Sequence, residues 1–270
     1  MKFKHINSLL AVLLCVATGS AIADASKLYD PSIKHAPQDG VLKFYGAGGP
    51  HTAFKKVAEQ YEKDTGQKVE IIAGPEKTWS LKAQADADML WGTSEQSMTA
   101  FLETYKTLDS AKVEPIYIRP AVIAVKKGNP KNIQGIADLL KPGMKIVVTE
   151  GSGVSNTSGT GVWEDVAGRL GRLDDVKAFR KNIVSYSTGS GASYKAFQTQ
   201  NADAWITWPN WPIVKSDDLE LVKIEPARAI WRDVNVVISP LADPNAKQFV
   251  EFLVSAQGQK LMATEGWVRN

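Results

Sequence analysis

Four short segments of this chain share one chemical design, in which small hydroxyl or glycine residues stand between an apolar run and a helical one. They are residues 46–52, 92–94, 151–161 and 187–193. The first amide groups of a helix have no intrahelical acceptor, and the helix dipole favours negative charge beside them. Ser and Thr hydroxyls add donors there, and Gly lets the backbone come close. Several such segments converging on one cleft would hold a small oxyanion. The candidates are Gly49, Pro50, His51 and Thr52 in the first segment and Thr93 with Ser94 in the second. The third offers Thr157, Ser158, Gly159, Thr160 and Gly161, and the fourth Ser190 and Gly191. Any one of them alone is also an ordinary cap or turn. The run from Ser152 to Gly161 stands apart, because eight of its ten residues are Gly, Ser or Thr. Ordering each costs about 1–2 kcal/mol, which a bound anion would help offset.

Arg119 interrupts an apolar extended stretch, and its planar fork suits two-point recognition of a carboxylate or phosphate. A salt bridge to a neighbouring acid would explain it equally well. Lys77 follows the turn Gly74-Pro75-Glu76, where a lysine is ordinarily just solvated. Trp79 and Trp208 suit either a cleft wall or a core, and His51 either an anion contact or a cap. The sequence offers little to enzyme chemistry. Beyond residue 23 it has only His35 and His51 and no cysteine, so a Cys nucleophile and a Cys/His metal cluster are both excluded. No serine stands in G-x-S-x-G, and no G-x-x-x-x-G-K-[ST] occurs. Gly46-Ala47-Gly48 lacks the third glycine of a dinucleotide loop, because His51 takes its place. Asp86 and Asp88 would face one side of a strand, where a structural role outweighs cation binding. No catalytic residue, metal or cofactor is therefore expected.

The elements that must position these residues alternate. Residues 41–45 read as a strand, Phe54, Val57, Ala58 and Tyr61 as one helix face, and Gly66 as its cap. Residues 68–73 and 88–91 read as strands, and Ser94 opens a helix through Met98, Phe101, Leu102 and Tyr105. A long extended stretch, 116–126, leads to a second alternating set. Its strands are 145–149, 183–184 and 202–207; its helices run through Trp163, Val166, Ala167 and Leu170, and over 194–200. A strand at 234–238 and helices over 246–255 and 259–264 close the chain, and residues 24–40 read as a mobile lead-in. The pattern is α/β, with two α/β lobes joined by a two-strand hinge: 24–118 with 235–270, and 119–234. One continuous sheet is the other arrangement it allows.

The first 23 residues have a basic head, an apolar run at 9–17 and the exit Ala21-Ile22-Ala23, and read as a cleavable secretory signal peptide. Its removal takes two lysines and Cys15, the one cysteine, from the 270-residue chain. Thirty basic side chains then face 29 acidic ones, and near-neutrality argues against nucleic acid as a partner.

Three motifs carry a resemblance: Gly48-Gly49-Pro50-His51-Thr52, SNTSGTGVWED at 155–165 and DAWITW at 203–208. They resemble the accessory colonization factor (AcfC) subgroup of bacterial solute-binding proteins, which is similar to the molybdate- and sulfate-binding periplasmic proteins. The resemblance implies a type II periplasmic-binding-protein fold with an anion cleft between the lobes. It assigns oxyanion contacts to Gly49–Thr52, Thr93, Ser94 and Thr157–Gly161, with Arg119, Ser190, Gly191 and Trp208 similar in placement. It further implies a periplasmic location, an ABC-type permease or sensor as partner, and in some relatives a homodimer. Relatives that bind molybdate or sulfate manage with uncharged donors, so Arg119 and Lys77 suit an organic phosphate or a citrate-like carboxylate better. A surface adhesin or colonisation antigen on the same fold is the other reading.

Overall fold

A computed structural model of the chain describes residues 28–151 and 157–269. The expected signal peptide, residues 1–23, and the part of the Ser/Gly/Thr run at 152–156 lie outside them.

Two five-stranded mixed sheets are covered by helices. The first forms from β1 (Leu42–Gly46), β2 (Val69–Ala73), β3 (Met89–Gly92), β4 (Glu114–Pro120) and β10 (Trp231–Ile238), in the order β2-β1-β3-β10-β4. The second forms from β5 (Val122–Lys126), β6 (Ile146–Glu150), β7 (Ile183–Thr188), β8 (Ala204–Thr207) and β9 (Leu219–Lys223), in the order β7-β6-β8-β5-β9. In each sheet three strands run parallel: β1 pairs with β2 and β3, and β6 with β7 and β8. Antiparallel strands complete both, β10 between β3 and β4, and β5 between β8 and β9.

Around the first sheet lie α1 (His51–Thr65), α2 (Ser80–Asp86), α3 (Glu95–Thr104), α9 (Ala246–Leu253) and α10 (Ala256–Ala263). Around the second lie α4 (Ile136–Leu139), α5 (Val162–Gly168), α6 (Leu173–Lys181), α7 (Ser190–Thr199) and α8 (Asn210–Val214). The apolar spacing of α1 buries Phe54, Val57, Ala58 and Tyr61, and Gly66 ends the helix at φ +74°, donating to the Glu62 carbonyl. One face of the first sheet packs Phe44 against Phe54, Trp91 and Phe249 at ring separations of 5.0, 4.7 and 6.1 Å. Its other face holds Tyr45, Leu90, Trp79, Phe101 and Tyr105. The second sheet repeats the plan, with Ile146, Val148, Trp163 and Phe179 on one side and Val147, Phe197 and Trp205 on the other.

The chain crosses from the first sheet to the second between Pro120 and Val122, and returns between Lys223 and Trp231. The two crossings run side by side, and the Ala121 amide donates to the Ile230 carbonyl at 2.8 Å. The boundaries read from sequence, 118/119 and 234/235, fall inside β4 and β10, so Arg119 and residues 231–234 pair within the first sheet. The lead-in also departs from expectation. Ala36 donates to the Ala85 carbonyl, His35 bonds both the Gln84 carbonyl and the Ser239 hydroxyl at 2.8 Å, and Gly40 donates to Asp243. Residues 28–40 are thus tied to the first lobe rather than loose. Strand β9 and helices α2, α4, α6 and α8 were not read from sequence.

Phe249 is fully buried and touches rings on α1 and β1. Phe249→Ala is expected to cost about 3–5 kcal/mol. Urea unfolding of the unaltered and variant chains checks this, and a loss under about 1 kcal/mol would show that the α9 contact is dispensable.

Candidate functional site

Arg119 is the penultimate residue of β4 and has no exposed surface. Its guanidinium lies between two indoles, with its central carbon 4.4 Å from the Trp208 ring and 4.0 Å from the Trp267 ring. Trp208 follows β8 in the second lobe, whereas Trp267 follows α10 and packs in the first-lobe core. Each lobe therefore supplies one face of the stack. From the second lobe, Ser158 Oγ accepts a 3.0 Å hydrogen bond from Nη2. Among the described residues Nε and Nη1 have no partner, and Arg119 forms no ion pair. The salt-bridge reading of this residue is thereby reduced to the longer-range attraction of Asp233. Burial pulls the group down to about 9, with Asp233 opposing, and it stays charged at neutral pH.

Two more candidates, Gly49 and Thr93, meet here, and Ser94 follows in the chain. Gly49 turns at φ +91°, a conformation that suits glycine, and a side chain there would stand 3.4 Å from Thr93 Cγ2 and 3.8 Å from Arg119 Nη2. Thr93 and Ser94 lie between β3 and α3. The Ser97 hydroxyl accepts from both of their amides, at 2.7 and 3.1 Å, and Ser94 and Ser97 form a capping box at the start of α3. Pro50 takes the Phe54 amide on its carbonyl and starts α1. The Thr52 hydroxyl is bound by Glu265, which also pairs with Lys56 at 2.8 Å. His51 Nδ1 is buried without a partner among the described residues, and burial, then Lys55, pushes the ring below its usual range against Glu265. A depression of about 430 Å³ opens beside it, lined by Lys55, Gly48 and residues 71–74.

The Thr157–Gly161 turn uses most of its amides internally. Thr157 N–H donates to Thr160 Oγ1, Gly159 N–H to Thr157 Oγ1, Thr160 N–H to the Thr157 carbonyl and Gly161 N–H to Glu150. Gly159 is pressed on β6, where a side chain would come within 2.8 Å of Thr149. This fixes the adjacent Ser158 hydroxyl toward Arg119. Ser190 and Gly191 begin α7, and no hydrogen bond joins them to the Arg119 group. Lys77 is exposed on a 3-10 turn, Glu76–Thr78, likewise with no bond to it. Trp79 is core: its Nε1 donates to the Gly74 carbonyl and its ring stacks on Tyr105. Asp86 and Asp88 do not share a strand face. Asp86 ends α2 and binds Tyr45 and Lys82, while Asp88 accepts the Lys43 and Asp243 amides.

Sequence reasoning missed Trp267, Asn210 and Thr207. Asn210 is buried at the start of α8 and its Nδ2 faces the Gly49 carbonyl at 3.5 Å, across the lobes. Asn210 Oδ1, Thr207 Oγ1 and Trp267 Nε1 are buried without partners among the described residues.

Two mixed α/β lobes, joined by paired crossings and closing on a buried charge, define a two-lobed binding protein of the type II periplasmic class. The chain belongs to the bacterial extracellular solute-binding proteins, whose family profile matches residues 42–268. It is similar to PEB3 from Campylobacter jejuni, at 40% identity, a TM-score of 0.80 and coverage of 85% of this chain and 100% of that one. A PEB3 crystal structure with L-phospholactate bound gives 41% identity, a TM-score of 0.81 and the same coverage. The periplasmic molybdate-binding protein of Azotobacter vinelandii shares the fold at 18% identity and a TM-score of 0.62, over 85% of this chain and 99% of that one. The sulfate-binding protein of Salmonella typhimurium is 26% identical over 168 residues, 54% of this chain and 50% of its own length. The chain thus spans about half the length of the curated relatives it matches.

Glu76, beside Lys77, has a buried Oε1 without a partner among the described residues, and burial raises its carboxyl to about 7, with Thr104 opposing. The folded state then holds a proton that the unfolded chain releases, so stability falls as pH rises from about 4.5 to about 7 and is level above. Glu76→Gln removes this dependence. Its melting temperature relative to the unaltered protein is expected to climb between pH ~5 and pH ~8; a constant difference would show that the carboxyl titrates normally.

Proposed function

We propose that this protein captures a small anion at Arg119, between its lobes, without chemical turnover. The class is an organic phosphate, a citrate-like carboxylate or an inorganic oxyanion. One observation carries the reading: a fully buried guanidinium with two N–H-bearing nitrogens unpartnered among the described residues. Removing such a charge from water costs several kcal/mol, and the hydroxyl of Ser158 supplies no countercharge. An anion would supply it, taking Nε or Nη1 together with the second N–H of Nη2 for two-point binding. Gly49, packed beside Thr93 and Arg119 Nη2, and Ser158, bonded to Nη2, are placed to complete the contacts, and Trp208 and Trp267 cover the guanidinium. The PEB3 structure with L-phospholactate supports a ligand that joins phosphate and carboxylate. On its three motifs we place the chain in the AcfC-like branch of the family. It would act in the periplasm after export by residues 1–23 and deliver its ligand to an ABC-type permease or a sensor.

The test is a melting experiment on protein unfolded and refolded to strip bound ligand, with sulfate, molybdate, phosphate, citrate, phosphoglycerates and sugar phosphates. A ligand at 100 times its Kd adds about 2.7 kcal/mol, a shift of several degrees. Arg119→Lys keeps a charge but loses the fork, and is expected to weaken binding roughly tenfold to a hundredfold. If no anion shifts the melting point, the anion reading fails and the surface-adhesin role takes its place.

A further inference from the structure

We infer that the captured anion also brings an O–H donor, and that Asn210 is the residue that reads it. This rests on the anion reading above. The guanidinium nitrogens Nε and Nη1 can only donate, and the buried Thr207 hydroxyl, next to Trp208, can donate or accept. Asn210 Oδ1 differs, because an amide oxygen only accepts. The orientation of this amide follows from its neighbour. Nδ2 faces the Gly49 carbonyl at 3.5 Å, and the reversed amide would set two acceptor oxygens against each other. Asn210 is 7% exposed, and its Oδ1 has no partner among the described residues.

The Thr207 hydroxyl could turn a proton toward an acceptor, yet it makes no hydrogen bond to Oδ1, which has no partner among the described residues. The amide is at the site because it meets Gly49, the residue that packs beside Thr93 and Arg119 Nη2. An anion with acceptors only, such as sulfate, would satisfy the guanidinium and leave Asn210 Oδ1 facing nothing that donates. An anion with a hydroxyl, or a phosphate that keeps one proton, satisfies both. A site built to hydrogen-bond a substrate group rejects analogues that lack it, because its own buried atom is left unpaired.

The two sources of the O–H separate in one set of titrations on the refolded protein. Matched ligands are citrate against tricarballylate and 3-phosphoglycerate against the phosphate ester of 3-hydroxypropionate, each pair differing by one hydroxyl, with sulfate as the proton-free reference. For a ligand hydroxyl, the hydroxylated member of a pair is expected to bind at least roughly tenfold tighter. In Asn210→Leu that ratio should collapse toward one. For a phosphate proton, the phosphate ester of 3-hydroxypropionate should bind more tightly as pH falls through about 6, the second phosphate ionisation, and Asn210→Leu should remove that dependence. Sulfate or the hydroxyl-free members binding as tightly as their partners, with no pH effect on the phosphate, would overturn the inference. So would a hydroxyl preference or pH effect that survives in Asn210→Leu. Should that variant not fold, the ratios and pH profile of the unaltered protein decide. Failure of every anion to bind would instead count against the anion reading itself.

Discussion

The positive charge of Arg119 has been taken out of water, and the parts of the fold that meet around it can be understood as the consequences. Two indole faces, each worth about 0.5–2 kcal/mol to a cation depending on its desolvation, do not restore what hydration gave. A single hydroxyl adds one bond. The arrangement is therefore stable only to the extent that both lobes stay packed around it, and a countercharge in the same place would stabilise the closed form directly. On the proposed reading, closure and capture become one equilibrium, because the contacts that bury the arginine come from both lobes. Lysine would not serve equally: it lacks the flat surface that two rings can sandwich and the fork that leaves further N–H groups pointing outward.

The parallel strands set where these groups meet. In each sheet, strand ends hand over to helix starts, and Gly49, Thr93 and Ser94 occupy two such handovers in the first lobe. Ser158 is held by a turn that spends its own amides internally and rests its glycine on Thr149. The helix-start amides expected to cradle the ligand are thus partly consumed by neighbouring hydroxyls. Side chains, with Arg119 foremost, carry more of the site than the loop composition suggested.

The alternation of strands and helices was legible wherever apolar periodicity was strong, as in α1, α3 and the buried strands β1, β3 and β8. It failed for α6, whose sequence LDDVKAFRK is largely charged and buries only Phe179, and for β9, an edge strand with a partly exposed pattern. Arg119 announced itself by breaking an apolar stretch. Trp267 did not, since nothing in Glu265-Gly266-Trp267 shows that it will stack on a residue about 150 positions earlier. Asn210 was hidden differently: in Trp208-Pro209-Asn210-Trp211-Pro212 the aromatic and proline residues read as a turn, and the amide as its ordinary polar filler. Lys77 looked like a ligand group by charge alone, but the turn that carries it faces solvent. Where the answer depended on which distant elements meet, local spacing held no record of it.

The hydrogen bond between Ala121 and Ile230 has a consequence for how such a molecule can be rebuilt. The second sheet and its helices are one uninterrupted stretch of chain whose two ends emerge side by side from a host that supplies everything before and after. Such a stretch is portable. It could be exchanged for a different insert, or its ends joined directly, without rerouting the host strands β4 and β10, which pair with each other whatever lies between them. Half of the proposed site would travel with the insert: Ser158, Thr207, Trp208 and Asn210 leave together, while Arg119 and Trp267 stay. An altered cassette would thus change the groups that face Arg119 while the buried charge remains in the frame.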